Sequence, residues 1–199
     1  MKEASVKYPI NDFAIKRWSP RAFSSQGVEA VKLQSLFEAA RWSASAMNEQ
    51  PWRFILGQKP DDTWTRILDT LVEGNHIWAK EAPVLILVIG GKSFSQDSSA
   101  NPVFSYDVGQ SVANLAIEAT NQGLYIHQMG GFSALKATDL FGIPENFQAL
   151  TVLAAGYLGR ADSLPDELKK RELSDRKRFD FNQFVFSSRF GQPADLFNI

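Results

Sequence analysis

The chain has 199 residues, 44% of them apolar and 22% charged, with a formal net charge of −1. Such values describe a single globular domain with a full core, and they exclude the basic excess of a general nucleic-acid binder. Cysteine is absent and His76 and His127 are the only histidines, which excludes thiol nucleophiles, thiolate metal centres and disulfides and argues against a histidine metal site. Met1 to Tyr8 lacks the apolar core of a signal peptide, and the longest apolar run, Val84 to Ile89, is far too short to span a membrane. A cytoplasmic protein without membrane or nucleic-acid partners is therefore expected.

In chain order, Val31 to Arg41 reads as a helix, with Leu33, Leu36, Phe37 and Ala40 forming one apolar stripe. Pro51 bars helix continuation, and Trp52 to Gly57 reads as a strand. Asp61-Asp62 can cap a helix from Thr63 to about Glu73, ended by Gly74-Asn75. Val84 to Ile89 is a continuous run without polar alternation, the pattern of a strand buried on both faces of a central sheet. Lys92 to Pro102 is polar, rich in Ser, and expected to be a mobile loop. Ser105 to Gln122 carries a broad apolar face and predicts a deeply buried helix, with Gly123 as its C-terminal cap. Strands follow at Leu124 to Gln128 and Gln148 to Tyr157, separated by a helix over Leu135 to Phe141. Beyond Gly159 the chain is charged, then aromatic from Phe179 to Phe190. No repeat or linker divides the chain, and the mixed order of strands and helices predicts an α+β fold.

Two segments carry the chemistry. Arg17-Trp18-Ser19-Pro20-Arg21 places two cations and a hydroxyl within five residues; guanidinium forks and a hydroxyl suit a phosphate. Trp42 to Phe54 crowds small residues, hydroxyls and amides into one helix-to-strand turn, where they can line a flat polar ligand. Gly130-Gly131, after a strand, permits close backbone approach. Arg176 and Arg178 alternate, so on an extended chain both face one side. Other patterns fail: Gly91-Lys92-Ser93 lacks the leading glycine of a P-loop, there is no Gly-x-Gly, and no Ser–His–Asp set has a recognisable elbow. His127 reads as a packed residue of the strand.

The first segment matches an Arg-x-Ser-x-Arg/Lys motif. The second, Ala44-Ser45-Ala46-Met47-Asn48-Glu49-Gln50-Pro51-Trp52, matches the last nine positions of Ala-Pro-Ser-x-x-Asn-x-Gln-Pro-Trp with Ala44 in place of the proline. Together they resemble the nitroreductase family of FMN-dependent oxidoreductases. The resemblance implies a single domain over 1–199 in a three-layer fold, with a central mixed, mainly antiparallel sheet flanked by helices. It implies FMN as cofactor, with Arg17, Ser19, Arg176 and Arg178 at its phosphate and Trp18 beside them. Arg21 then lies at the flavin's pyrimidine edge, and Ala44, Ser45, Ala46, Asn48 and Gln50 along the ring. Asn75 faces its N3 and O4 side. Gln128, Met129, Gly130 and Gly131 form the turn whose backbone N–H, assigned to Gly130, meets N5. Arg21 and Gly130 are the expected catalytic groups. Where many relatives carry a Lys three residues after Asn75, this chain has Trp78, an expected aromatic wall. The implied activity is ping-pong transfer of hydride from NADH or NADPH to nitroaromatics, quinones or similar small-molecule acceptors. A flavin-dependent dehydrogenase or oxidase of a small metabolite or peptide, or a non-catalytic flavin-binding protein, remains open from the sequence. A homodimer with FMN at the subunit interface is also implied, with residues 179–199 as an extension packing on the partner.

Overall fold

The computed structural model describes residues 2–197. The run Val84–Gly91 (β2) is buried along its whole length. Its residues alternate between two cores: Leu85, Leu87 and Ile89 enter one, Val84, Ile86 and Val88 the other. A strand apolar on both faces must be covered on both, and this one lies between β1 (Trp52–Gln58) and β4 (Phe147–Gly156), with β3 (Tyr125–Met129) beyond β4. The sheet order is β1-β2-β4-β3 and every pairing is antiparallel.

One face is covered by α2 (Ala30–Arg41) and the long helix α5 (Phe104–Asn121), through Leu33, Leu36, Ala40, Val112, Leu115 and Ala119. The other is covered by α3 (Asp62–Leu68), α4 (Glu73–Ala79), α6 (Ala134–Phe141) and α7 (Asp166–Leu173), through Trp64, Ile67, Trp78, Ala137 and Leu168. A further short helix, α1 (Asp12–Lys16), precedes the first motif. This is the expected three-layer α+β arrangement.

Local signals explain most boundaries. The Asp61 carboxylate accepts from Trp64 N–H and caps α3, as the sequence predicts. Gly123 follows α5 with φ of 74° and Gly142 ends α6 with φ of 59°, left-handed positions where glycine carries no Cβ penalty.

The helix expected from Thr63 to Glu73 ends at Leu68, and a second helix, α4, begins at Glu73, where the sequence predicts that the chain leaves the helix. α3 stops at Leu68 because Leu71 bridges Phe132 and Ser133 N–H donates to Thr70 C=O; tertiary pairing outweighs helix propensity there. Asn75 therefore lies inside α4 and not beyond a helix end. The expected mobile loop at Lys92–Pro102 is closed on itself: Ser93 bridges Ala100, and Asn101 N–H donates to Lys92 C=O. From Phe181 the chain folds onto the N-terminal segment, where Phe181 stacks on Phe197 and meets Tyr8, and Lys7 pairs with Asp180.

Candidate functional site

The candidate residues fall into two groups on opposite sides of the sheet. The first group follows the β3 edge. Arg17 comes directly after α1, and its guanidinium approaches the Ser19 hydroxyl at 3.5 Å. Burial, and then the charge of Arg178, hold Arg17 below its ordinary value. Burial, followed by Arg17 and Arg178, does the same to Arg176. Arg17, Arg176 and Arg178 thus crowd one place, and none forms an ion pair among the described residues. Arg176 Nη1 donates to the carbonyls of Lys2 and Ile15, and Arg178 Nη1 to that of Lys177. Three guanidiniums gathered without a carboxylate form a cradle for an anion carrying several oxygens.

From this cradle the chain runs beside β3. Trp18 is buried and meets Tyr125 edge-on at 6.1 Å. Pro20 C=O lies 2.9 Å from His127 Nδ1. Ala22 C=O accepts from Gly159 N–H. The Arg21 guanidinium, half-exposed, has no hydrogen bond or ion pair among the described residues.

His127 sits under this loop against Trp78, their ring centroids 4.6 Å apart. Burial pushes its imidazole down to about 4; the Pro20 carbonyl opposes that shift and the Arg21 charge adds to it. Trp78 is 1% exposed and also stacks on Phe23. The expected aromatic wall is therefore part of the core: a bulky indole at this position of α4 is drawn under the sheet by the apolar area it buries.

At the end of β3, Met129 is buried, its carbonyl accepting from the Thr151 hydroxyl, while Gln128 and Gly130 are exposed. Asn75 Nδ2 donates to Gly131 C=O at 3.0 Å, which leaves its Oδ1 as a free acceptor. A Cβ on Gly131 would lie 2.7 Å from that Nδ2 and 2.9 Å from Val72 Cγ2, so glycine is required for this contact. Trp18 beside the cradle meets Tyr125, Pro20 meets His127 and Asn75 bonds Gly131, so these residues are placed along β3 and the turn that ends it.

The second group, Ala44 to Gln50, joins α2 to β1 at the far edge of the sheet. Met47, Asn48 and Gln50 have φ of 52°, 56° and 53°, left-handed values that cost non-glycine residues of order 1–3 kcal/mol each. Several bonds hold the turn. Ala46 N–H donates to the buried carboxylate of Asp107, Gln50 N–H to the Ser45 hydroxyl, and Arg53 to Gln50 C=O. Glu49 receives the backbone and hydroxyl of Ser95, and Gln50 Nε2 donates to Asn48 C=O. Met47 stands 77% exposed at the tip. Strands β2 and β4 separate this turn from β3, and within one chain it does not reach the first group.

Sequence reasoning missed Glu172 and Asp107, two buried carboxylates that accept backbone N–H groups of the two motifs. Asp107 had a signal, an acid on the first turn next to the apolar face that runs through Val108, Val112 and Leu115. Glu172 had none, because it ends the charged run Lys169-Lys170-Arg171. A concavity of about 580 Å³ lies elsewhere, between α2 and Glu118 of α5. It is open and has no cationic cluster, so volume does not locate the site.

A model of the nitroreductase family matches residues 14–77, the stretch that holds both N-terminal motifs and Asn75. An uncharacterised 15.4 kDa protein from the ask 5′ region of Mycolicibacterium smegmatis is 31% identical over 149 residues, which cover 71% of this chain and 99% of that protein. A crystal structure described as an oxidoreductase containing FMN is 33% identical, covers 96% of this chain and 98% of its own, and superposes with a TM-score of 0.91. A nitroreductase family protein of Clostridium difficile 630 shares the fold, with a TM-score of 0.70 at 23% identity over 89% of this chain and 97% of its own. Motifs, fold and relatives agree, and the chain belongs to the nitroreductase family.

Proposed function

We propose that the protein is an FMN-dependent oxidoreductase that draws electrons from NADH or NADPH and passes them, in ping-pong order, to nitroaromatic, quinone or similar conjugated acceptors. The observation that carries this reading is the cradle of Arg17, Arg176 and Arg178, without an ion pair among the described residues, on the β3 edge that ends in the Gly130 turn and Asn75. Its donors fit FMN: cations for a phosphate at one end, and a free amide acceptor with exposed backbone N–H groups for a flat heterocycle at the other. The structure described as an oxidoreductase containing FMN, similar over nearly its whole length, supports the same reading.

Arg17, Ser19, Arg176 and Arg178 would hold the phosphate. Asn75 Oδ1 would accept from the ring, and Gly130 N–H would donate to it. FMN, when bound, supplies the two-electron chemistry. Arg21, without a partner of its own, would stabilise negative charge that grows on the pyrimidine side, and preorganised donors of this kind act without rearrangement during the reaction. No side-chain acid or base is needed, and neutral, enclosed His127 supplies none.

The strained turn Ala44–Gln50 belongs to this site through a second copy of the chain. Its position across the sheet from the cradle supports a homodimer in which each flavin lies between subunits. Met47 at its tip is exposed, as are Val31 of α2, Trp42 at the cap of that helix, and Phe179, Phe184 and Phe190 of the C-terminal extension, and exposed apolar surface favours association. A cytoplasmic location is part of the proposal; no helix among the described residues is long and apolar enough to cross a membrane.

The test is the visible spectrum of the purified protein, followed by anaerobic NADH or NADPH. A flavin absorption that bleaches on addition is expected. A flavin that stays oxidised would redirect the proposal to another electron donor, and a colourless protein that FMN cannot reconstitute would reject it.

A further inference from the structure

We propose that Glu172 and His127 are positioning residues that grip the backbone of residues 20–22 from two sides and so fix where Arg21 presents its charge. The inference rests on the FMN reading above, and it concerns two buried groups to which that reading gives no part.

Glu172, on the last turn of α7, is 3% exposed. Its Oε1 and Oε2 each lie 3.0 Å from Arg21 N, and Oε1 lies 3.1 Å from Ala22 N. It has no ion pair among the described residues. A buried carboxylate without a cation is costly unless its oxygens are satisfied by donors, and here successive backbone N–H groups satisfy them. On the other side, His127 Nδ1 lies 2.9 Å from Pro20 C=O. A carbonyl can only accept, so Nδ1 carries the proton. Trp78 packs against the imidazole. With Gly159 N–H donating to Ala22 C=O, Pro20 C=O, Arg21 N–H, Ala22 N–H and Ala22 C=O all have fixed partners.

The nearest carboxylate to Arg21 is bonded to its amide, not to its guanidinium. The loop gains an anionic anchor while the guanidinium stays unpaired and open to a ligand. A carboxylate that paired with the side chain instead would neutralise the charge the site needs.

The test is a double-mutant cycle read by FMN titration of apoprotein, followed by flavin fluorescence, with no turnover required. Glu172→Gln keeps size and one acceptor but turns an amide donor toward a backbone N–H. It is expected to raise the FMN Kd about tenfold when Arg21 is present, and less than about twofold in an Arg21→Ala background, because the group being positioned is already gone. The reduction potential of bound FMN should fall in Glu172→Gln toward that of Arg21→Ala. Equal losses in both backgrounds, or no loss with Arg21 present, would overturn the proposal, since a merely structural role adds independently. If Glu172→Gln does not fold, His127→Phe loosens the other side of the grip and is read in the same cycle with the same criteria. If the unmodified protein fails to bind FMN, the functional reading itself falls and this inference with it.

Discussion

At the scale of single residues, His127 links packing to pH. Its imidazole titrates near 4 in the folded protein, against an ordinary 6.5, chiefly because burial disfavours the charged form. Between those values the unfolded chain takes up a proton that the native state refuses. The contribution of neutral His127 is therefore complete above about pH 6.5, declines as pH falls, and levels off below about 4, a total of about 3 kcal/mol. Urea midpoints at about pH 7 and about pH 4.5 measure it. His127→Gln, whose amide can still donate to Pro20 C=O, should show a distinctly smaller drop than the unmodified protein; equal drops would assign the acid sensitivity elsewhere. Residue chemistry also sets what the sequence discloses. Arg17, Ser19 and Arg21 stand out in the sequence because guanidiniums and a hydroxyl in so short a span suit an anion, and the Ala44–Trp52 motif adds weight to that reading. Glu172 is not legible, since a glutamate in a charged run reads as solvated until the fold shows it buried beneath two amides.

At the scale of elements, glycine decides how closely layers pack. A Cβ on Gly57 of β1 would lie 2.5 Å from the Cα and N of Trp64 in α3. Backbone cannot yield there as a flexible side chain could, so Gly57→Ala must push α3 off the sheet, at a cost of about 2–3 kcal/mol. A Cβ on Gly74, inside α4, would meet nothing within 4 Å, and Gly74→Ala should be neutral or stabilising by up to about 1 kcal/mol. Thermal melts of the pair check both signs; a Gly57→Ala protein as stable as Gly74→Ala would show that α3 slides freely. The same contrast explains which elements are legible in the sequence. β2 and α5 announce themselves because every residue or a full stripe is apolar. α7 does not, because a short helix burying only Leu168 and Glu172 has almost no periodicity. Its signals are weaker: Pro165 before it, acids in its first turn and Lys170 and Arg171 in its last. The helix expected over Thr63 to Glu73 stops early at Leu68, and α4 goes unread beyond it, because the break comes from the Leu71–Phe132 bridge, a contact no local pattern encodes.

At the scale of the whole molecule, the two motifs that identify the family are adjacent in sequence and apart in space. The cradle and Gly130 turn lie along β3, and the Ala44–Gln50 turn leads into β1, at opposite edges of the sheet. A proposed dimer resolves this by letting each copy lend its turn to the other's cradle, which can be tested by mixing. Arg17→Glu damages the cradle and leaves the turn intact; Asn48→Ala, which also puts a residue without a polar side chain at a φ of 56°, damages the turn and leaves the cradle. Each protein alone should bind FMN poorly. When the two are unfolded and refolded together, about half of the dimers are mixed, and each mixed dimer has one site built from two intact halves and one from two damaged halves. About a quarter of all sites should recover FMN binding. If the turn and cradle of a single chain served the same flavin, every site would contain one damaged half and mixing would recover nothing. Recovery would place the flavin between subunits through residues of both, and it would explain why a turn so strained is held by Asp107, Arg53 and Glu49 although nothing in its own chain uses it.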